Sequence, residues 1–143
     1  MPQRVRGGTM QIGELADRTE LSLRTIRYYG EVGLVRPSAR THGGFRLYTE
    51  PDIARLELIK RMKPLDFSLD EMGDLLGVLD RINEPGISQE EHDALLERLG
   101  MYRLAAEERS RALREQLAVA EDFHESLRTE ISRQRRIGER SGS

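Results

Sequence analysis

Apolar positions recur at helical spacing in five stretches separated by short polar or Gly/Pro-containing joints. Ile12, Leu15 and Ala16 predict a short helix over 12–18, and Thr19-Glu20-Leu21 forms the joint to the next. That second helix opens at Ser22, a good N-cap, with Leu21 and Ile26 placed to staple its start and Gly33 placed for a left-handed stop. The spacing turns Leu23 and Ile26 inward and leaves Arg24, Arg27 and Tyr28 or Tyr29 on an exposed face suited to a polyanion. Two short helices with so small a joint form a helix-turn-helix, whose second member lies in the major groove of DNA.

The helical period disappears between Leu34 and Tyr48. Pro37, Gly43 and Gly44 punctuate this segment, and the alternation Phe45-Arg46-Leu47-Tyr48 predicts a small hairpin. Thr49, with Pro51 in the first turn and Asp52 at the reciprocal capping position, opens a third helix. Its stripe is Ile53, Leu56, Ile59 and Met62, and Arg55, Lys60, Arg61 and Lys63 lie mostly outside. Pro64 ends or bends it; Ser68 with Glu71 then caps a fourth, with Met72, Leu75, Leu76, Leu79 and Ile82 at core spacing. Residues 83–87, with Pro85 and Gly86, break the chain before a long helix over 88–136, on the order of 70 Å at 1.5 Å per residue.

A rod of that length needs a cover. Leu99, Ala106, Leu113, Ala120 and Leu127 recur every seven residues, and Leu117 and Ile131 fall four beyond their predecessors, where Arg103, Ser110 and His124 also sit. This heptad seam with polar interruptions predicts a two-chain coiled coil; pairing with the shorter helices of the same chain is the alternative.

The runs Ile12-Gly13-Glu14-Leu15-Ala16, Thr25-Ile26-Arg27-Tyr28-Tyr29, Gly33-Leu34-Val35-Arg36-Pro37, Gly44-Phe45-Arg46-Leu47-Tyr48 and Leu65-Asp66-Phe67-Ser68-Leu69-Asp70-Glu71 stand in one order and spacing. Over roughly residues 10–76 the chain thereby resembles the MerR family of bacterial transcription regulators. The resemblance implies a mainly α fold: a winged helix-turn-helix head with a β-hairpin wing, then a long antiparallel coiled-coil dimerisation helix. It divides the chain into a leader (1–9), the DNA-binding head (10–83), the dimerisation helix (88–136) and a disordered tail (137–143). It also implies a homodimer on a pseudo-palindromic promoter operator, which the protein distorts to control transcription, acting on RNA polymerase indirectly. The DNA-binding candidates are Ser22, Arg24, Thr25, Arg27, Tyr28, Tyr29, Arg40, Phe45, Arg46, Tyr48 and Lys63. Arg40, Arg46 and the Tyr48 hydroxyl are suited to donate to phosphate oxygens, and Lys63 belongs to a second wing. Each wing residue has the alternative of ordinary hairpin packing. The dimer-interface candidates are Leu99, Ala106, Leu113, Leu117, Ala120, His124, Leu127 and Ile131. Phe45 stands where the family commonly has Tyr, and Glu20 and Asp66 stand where it has Gly; a left-handed backbone at Glu20 would cost about 1 kcal/mol relative to Gly.

Composition adds limits. The 143 residues are 37% hydrophobic and 34% charged, as expected of a soluble protein rich in surface helix, and no run is long or apolar enough for a bilayer or a signal peptide. With no cysteine, thiolate metal ligands, disulfides and cysteine nucleophiles are excluded; the cytoplasm is the expected compartment. The net charge of −2 hides a segregation: +5 over residues 1–65, −8 over 66–100 and +1 over 101–143. The positive part coincides with the recognition motif. Arg4 and Arg6 of the leader either brush DNA or belong to a plain flexible tail.

Catalysis finds no support, since the paired carboxylates lie on helices, no phosphate-binding glycine loop is present and no serine stands in a nucleophile elbow. His42, His92 and His124 share no metal-ligand spacing, so no cofactor is expected. The short segment after 136 favours a regulator without a separate effector domain, and no effector is identifiable. The competing readings are a constitutive or architectural DNA-binding factor and a helical protein-interaction module using the acidic 66–100 segment.

Overall fold

The computed structural model describes residues 8–142; Arg4 and Arg6 of the expected leader lie outside them. The elements run α1 (Ile12–Thr19), α2 (Leu23–Glu31), β1 (Ala39–Arg40), β2 (Arg46–Leu47), α3 (Glu50–Met62), a 3₁₀ turn (Lys63–Leu65), α4 (Leu69–Ile82) and α5 (Gln89–Ser141). The fold is therefore mainly helical, with one two-stranded antiparallel hairpin pairing Ala39 with Leu47 and Arg40 with Arg46.

Local chemistry sets the joints. The Ser22 hydroxyl accepts from the Thr25 amide at 3.0 Å and starts α2. Leu34 and Val35 amides both donate to the Tyr29 carbonyl as the chain turns away through Gly33, whose φ of 83° favours a residue without Cβ. Ser68 and Glu71 cap α4 reciprocally, at 2.8 and 3.1 Å. Glu20 and Asp66 are both left-handed, with φ of 60° and 65°, at the two joints where that geometry was expected.

The chain divides into two compact units at Tyr102. In the first, Leu15, Ile26, Val35, Tyr48, Leu56 and Ile59 form the centre of the core, each fully buried. The anticipated α4 stripe omits Val78, which is 2% exposed. Val78 lies on the same helix face as Asp74 and Arg81, and those two pair with Arg98 and Glu91 at the start of α5. The break at 83–87 therefore interrupts the helix but not the packing, and α5 leaves the first unit later than the expected head boundary at residue 83. The second unit, from Arg103 on, is helix through Ser141, including most of the stretch expected to be a disordered tail. Its heptad residues Leu113, Leu117, Ala120, His124, Leu127 and Ile131 are all exposed, as are Val119 and Phe123 beside them.

Among the described residues no helix is long and apolar enough to cross a membrane, and no group of three potential ligands is gathered for a metal ion.

Candidate nucleic-acid interface

Helix α2 buries one side and offers the other. Ile26 and Tyr29 are in the core, and Arg24, Arg27, Tyr28 and Glu31 form an exposed ridge. The choice between the tyrosines is thus resolved: Tyr28 is 44% exposed, and Tyr29, at 4%, is a core residue whose ring packs 5.9 Å from that of Tyr28. Leu23, expected inward, faces solvent instead. A three-residue step covers 300°, so the stripe Leu23, Ile26, Tyr29 rotates by 60° per step, and the core takes only its last two members.

A groove flanks each side of the ridge. One, of about 510 Å³, lies between α2 and the segment entering α4, lined by Arg24, Thr25, Tyr28, Lys63, Phe67 and Leu69, with the Asp66 carboxylate also on its wall. The other, of about 310 Å³, lies between α2 and the hairpin, lined by Gln11, Ile12, Arg27, Glu31, Phe45 and Arg46. Each groove carries cationic side chains and an apolar wall, the combination that suits a phosphate oxygen and its deoxyribose.

Among the other candidates, the Ser22 hydroxyl is committed to the cap: it accepts from the Thr25 amide and donates to Thr25 Oγ1 at 2.9 Å. It holds Thr25 rather than offering a proton outward, and leaves the Thr25 hydroxyl its own proton for an external acceptor. Arg40 and Arg46 are exposed on paired positions of the hairpin, and Arg40 also donates to the Gly44 carbonyl at 3.2 Å. Phe45 is 63% exposed at the tip, against Gly43. Tyr48 is a correction to the candidate set. It is wholly buried, its backbone pairs with Met10 rather than continuing the hairpin, and its hydroxyl is enclosed, so it reaches no phosphate.

Positioning residues escaped the sequence reading. Lys60, read as a solvated charge, donates to the Thr19 carbonyl at 2.6 Å and so closes the end of α1 beside left-handed Glu20. Arg18 meets Glu50 through two hydrogen bonds, 2.7 and 3.1 Å, which hold the Glu50 carboxyl below its ordinary range and raise the guanidinium. Arg55 spans the Asp80 carboxylate and the Leu34 carbonyl, tying the exit of α2 to α3 and α4. Spacing alone gave no signal for these long-range partners.

At the start of α5, Asp74 accepts from the Tyr102 hydroxyl at 2.7 Å and from Arg98, and both contacts hold its carboxyl below the usual range. Burial, then the Asp74 contact, pushes the Tyr102 phenol up to about 12. The Phe67 ring, 6.1 Å from that of Tyr102, joins this cluster to the first groove.

A model of the MerR HTH family regulatory protein matches residues 10–77, which span both helices, the hairpin and the groove-forming segment into α4. HTH-type transcriptional regulator CueR of Escherichia coli O157:H7 is 33% identical over 100 residues, covering 70% of this chain and 69% of CueR. The chain belongs to the MerR helix-turn-helix family. The mercuric resistance operon regulatory protein of Bacillus cereus is 48% identical to this MerR-family chain over 71 residues, covering 50% of the chain and 54% of that relative. A crystal structure of a MerR family transcriptional regulator from Bacillus cereus shares 30% identity and a TM-score of 0.54, covering 80% of this chain and 75% of that one. The chain spans about half the length of most of the curated MerR-family relatives it matches.

Proposed function

We propose that the protein is a DNA-binding transcriptional regulator that binds a pseudo-palindromic promoter operator as a homodimer and distorts it to control transcription. The observation carrying this reading is the cationic ridge of α2 set between two grooves that each present further cations, Lys63 on one side and Arg46 on the other. In this reading α2 enters the major groove and the flanking grooves receive the two phosphate backbones. Arg24, Arg27, Tyr28, Thr25, Arg40, Phe45, Arg46 and Lys63 form the contact set, with Ser22 as its cap.

The dimer rests on α5. Leu113, Leu117, Leu127 and Ile131 expose a stripe that a second copy would cover, with Leu99, Ala106, Ala120 and His124 in the same register. An antiparallel pairing would then hold two heads at a fixed distance and so set the half-site separation. Deformation of the intervening DNA is offset by backbone contacts on both arms.

The test is titration of the purified protein onto duplexes from upstream of its gene at several salt concentrations. Arg27→Ala is expected to weaken binding and lower the slope of log K against log salt by about 0.9 for each phosphate it no longer neutralises. No binding to any duplex in dilute salt, an unchanged slope for Arg27→Ala, or a monomer at micromolar concentration by sedimentation would each overturn the corresponding part.

A further inference from the structure

Glu31 is the final residue of α2 and stands exposed on the ridge with Arg24, Arg27 and Tyr28. Three physical effects oppose a carboxylate there. The C-terminus of a helix is its negative end, and the last turn of α2 holds no basic residue to offset the charge. The surface around it is otherwise cationic, and phosphates repel an acid. Arg27, one turn earlier, is in the weaker order for an i, i+4 pair, and among the described residues no ion pair joins it to Glu31. Neither local stability nor backbone attraction accounts for this side chain, yet it stands on the α2 ridge that the DNA-binding reading places in the major groove.

A base edge does account for it. In the major groove cytosine presents the N4 amino donor, to which a carboxylate is the matching acceptor, whereas guanine and thymine present acceptors that repel it. Building on the DNA-binding reading above, we propose that Glu31 is a specificity-determining residue that accepts a hydrogen bond from the exocyclic amino group of one cytosine in each half-site. Repulsion from the carboxylate at guanine and thymine, and from the N7 acceptor beside the N6 donor of adenine, makes the same residue a device against wrong sequences.

The experiment is selection from a pool of duplexes with randomised cores, using the full chain as wild type, Glu31→Ala and Glu31→Gln. Wild type is expected to enrich a site with one cytosine position in each half. Glu31→Ala loses that preference by about five-fold or more at that position alone, and Glu31→Gln moves it towards adenine, whose N6 and N7 match an amide. An Ala variant that binds every sequence more tightly with an unchanged preference would overturn the proposal, as would identical preferences for all three proteins, while leaving the DNA-binding reading intact. Failure of wild type to enrich any sequence would overturn both. Glu31 is exposed, so both variants are expected to fold, and a retained thermal midpoint confirms it.

Discussion

Asp52 joins the wing to the rest of the head, and its removal has a calculable consequence. The residue is 5% exposed, and one oxygen, Oδ2, accepts from the Ser38 hydroxyl at 2.8 Å, the Thr49 amide at 2.9 Å and the Thr49 hydroxyl at 3.3 Å. Ser38 in turn donates its amide to Leu47, at the base of the hairpin. Asp52→Ala strands these donors next to the core. At about 1 kcal/mol for each of the two shorter bonds, plus about 0.5 kcal/mol for the lost negative charge at the N-terminus of α3, the change destabilises by about 2–3 kcal/mol. Asp52→Asn keeps an acceptor where the donors converge and loses only the charge, so about 0.5 kcal/mol is expected. Urea unfolding at one fixed protein concentration measures both, since the stability of the proposed dimer would vary with concentration. A loss below about 0.5 kcal/mol for Asp52→Ala, or equal losses for the two variants, would refute the assignment of stability to these bonds.

Other substitutions test individual features. Glu20→Gly removes the left-handed cost of about 1 kcal/mol but makes the unfolded chain more flexible, so the expected outcome is a gain of up to about 1 kcal/mol; a clear loss in the same urea assay would show that Glu20 is not strained. Tyr48→Phe deletes an enclosed hydroxyl with no partner among the described residues, so unfolding should be unchanged or stabilised by up to about 1 kcal/mol, and a loss above that would reveal a bond to this oxygen. Asp74 has its folded pKa below the ordinary 3.8, so its contribution is present above about pH 4 and lost as pH falls through the folded value; Tyr102 is raised from 10 to about 12, so its contribution is present below pH 10 and lost as pH rises through about 12. The difference in thermal midpoint between wild type and Asp74→Asn should therefore shrink as pH falls below about 4, and a difference that stays constant from about pH 6 to about pH 3 would refute it.

What was legible in the sequence was local, and what was not depended on groups far along the chain. Ser22, Ser68 and the Thr49–Asp52 pair announce helix starts because a cap and its amides are three residues apart, so spacing contains the whole interaction. Lys60 gives no such signal, because its acceptor is the Thr19 carbonyl, 41 residues away, and nothing in a helical wheel separates a cation that closes another helix from one in solvent. Tyr48 fails for a related reason. Alternation places it beside Arg46 only while the hairpin continues, but β2 ends at Leu47 and the next pairing partner is Met10, which comes from before α1 and turns the ring into the core. Leu23 and Glu31, at the two ends of α2, show the remaining limit. Nine residues make only two and a half turns, so the buried side is settled by Ile26 and Tyr29 in the middle, and the terminal residues take whichever side the neighbouring elements leave open. In this head Glu31 is left beside the hairpin, lining a groove with Arg27 and Arg46, and Leu23 faces solvent, so at both ends of α2 periodicity stops informing and the packing of the elements around the helix decides which side each residue takes.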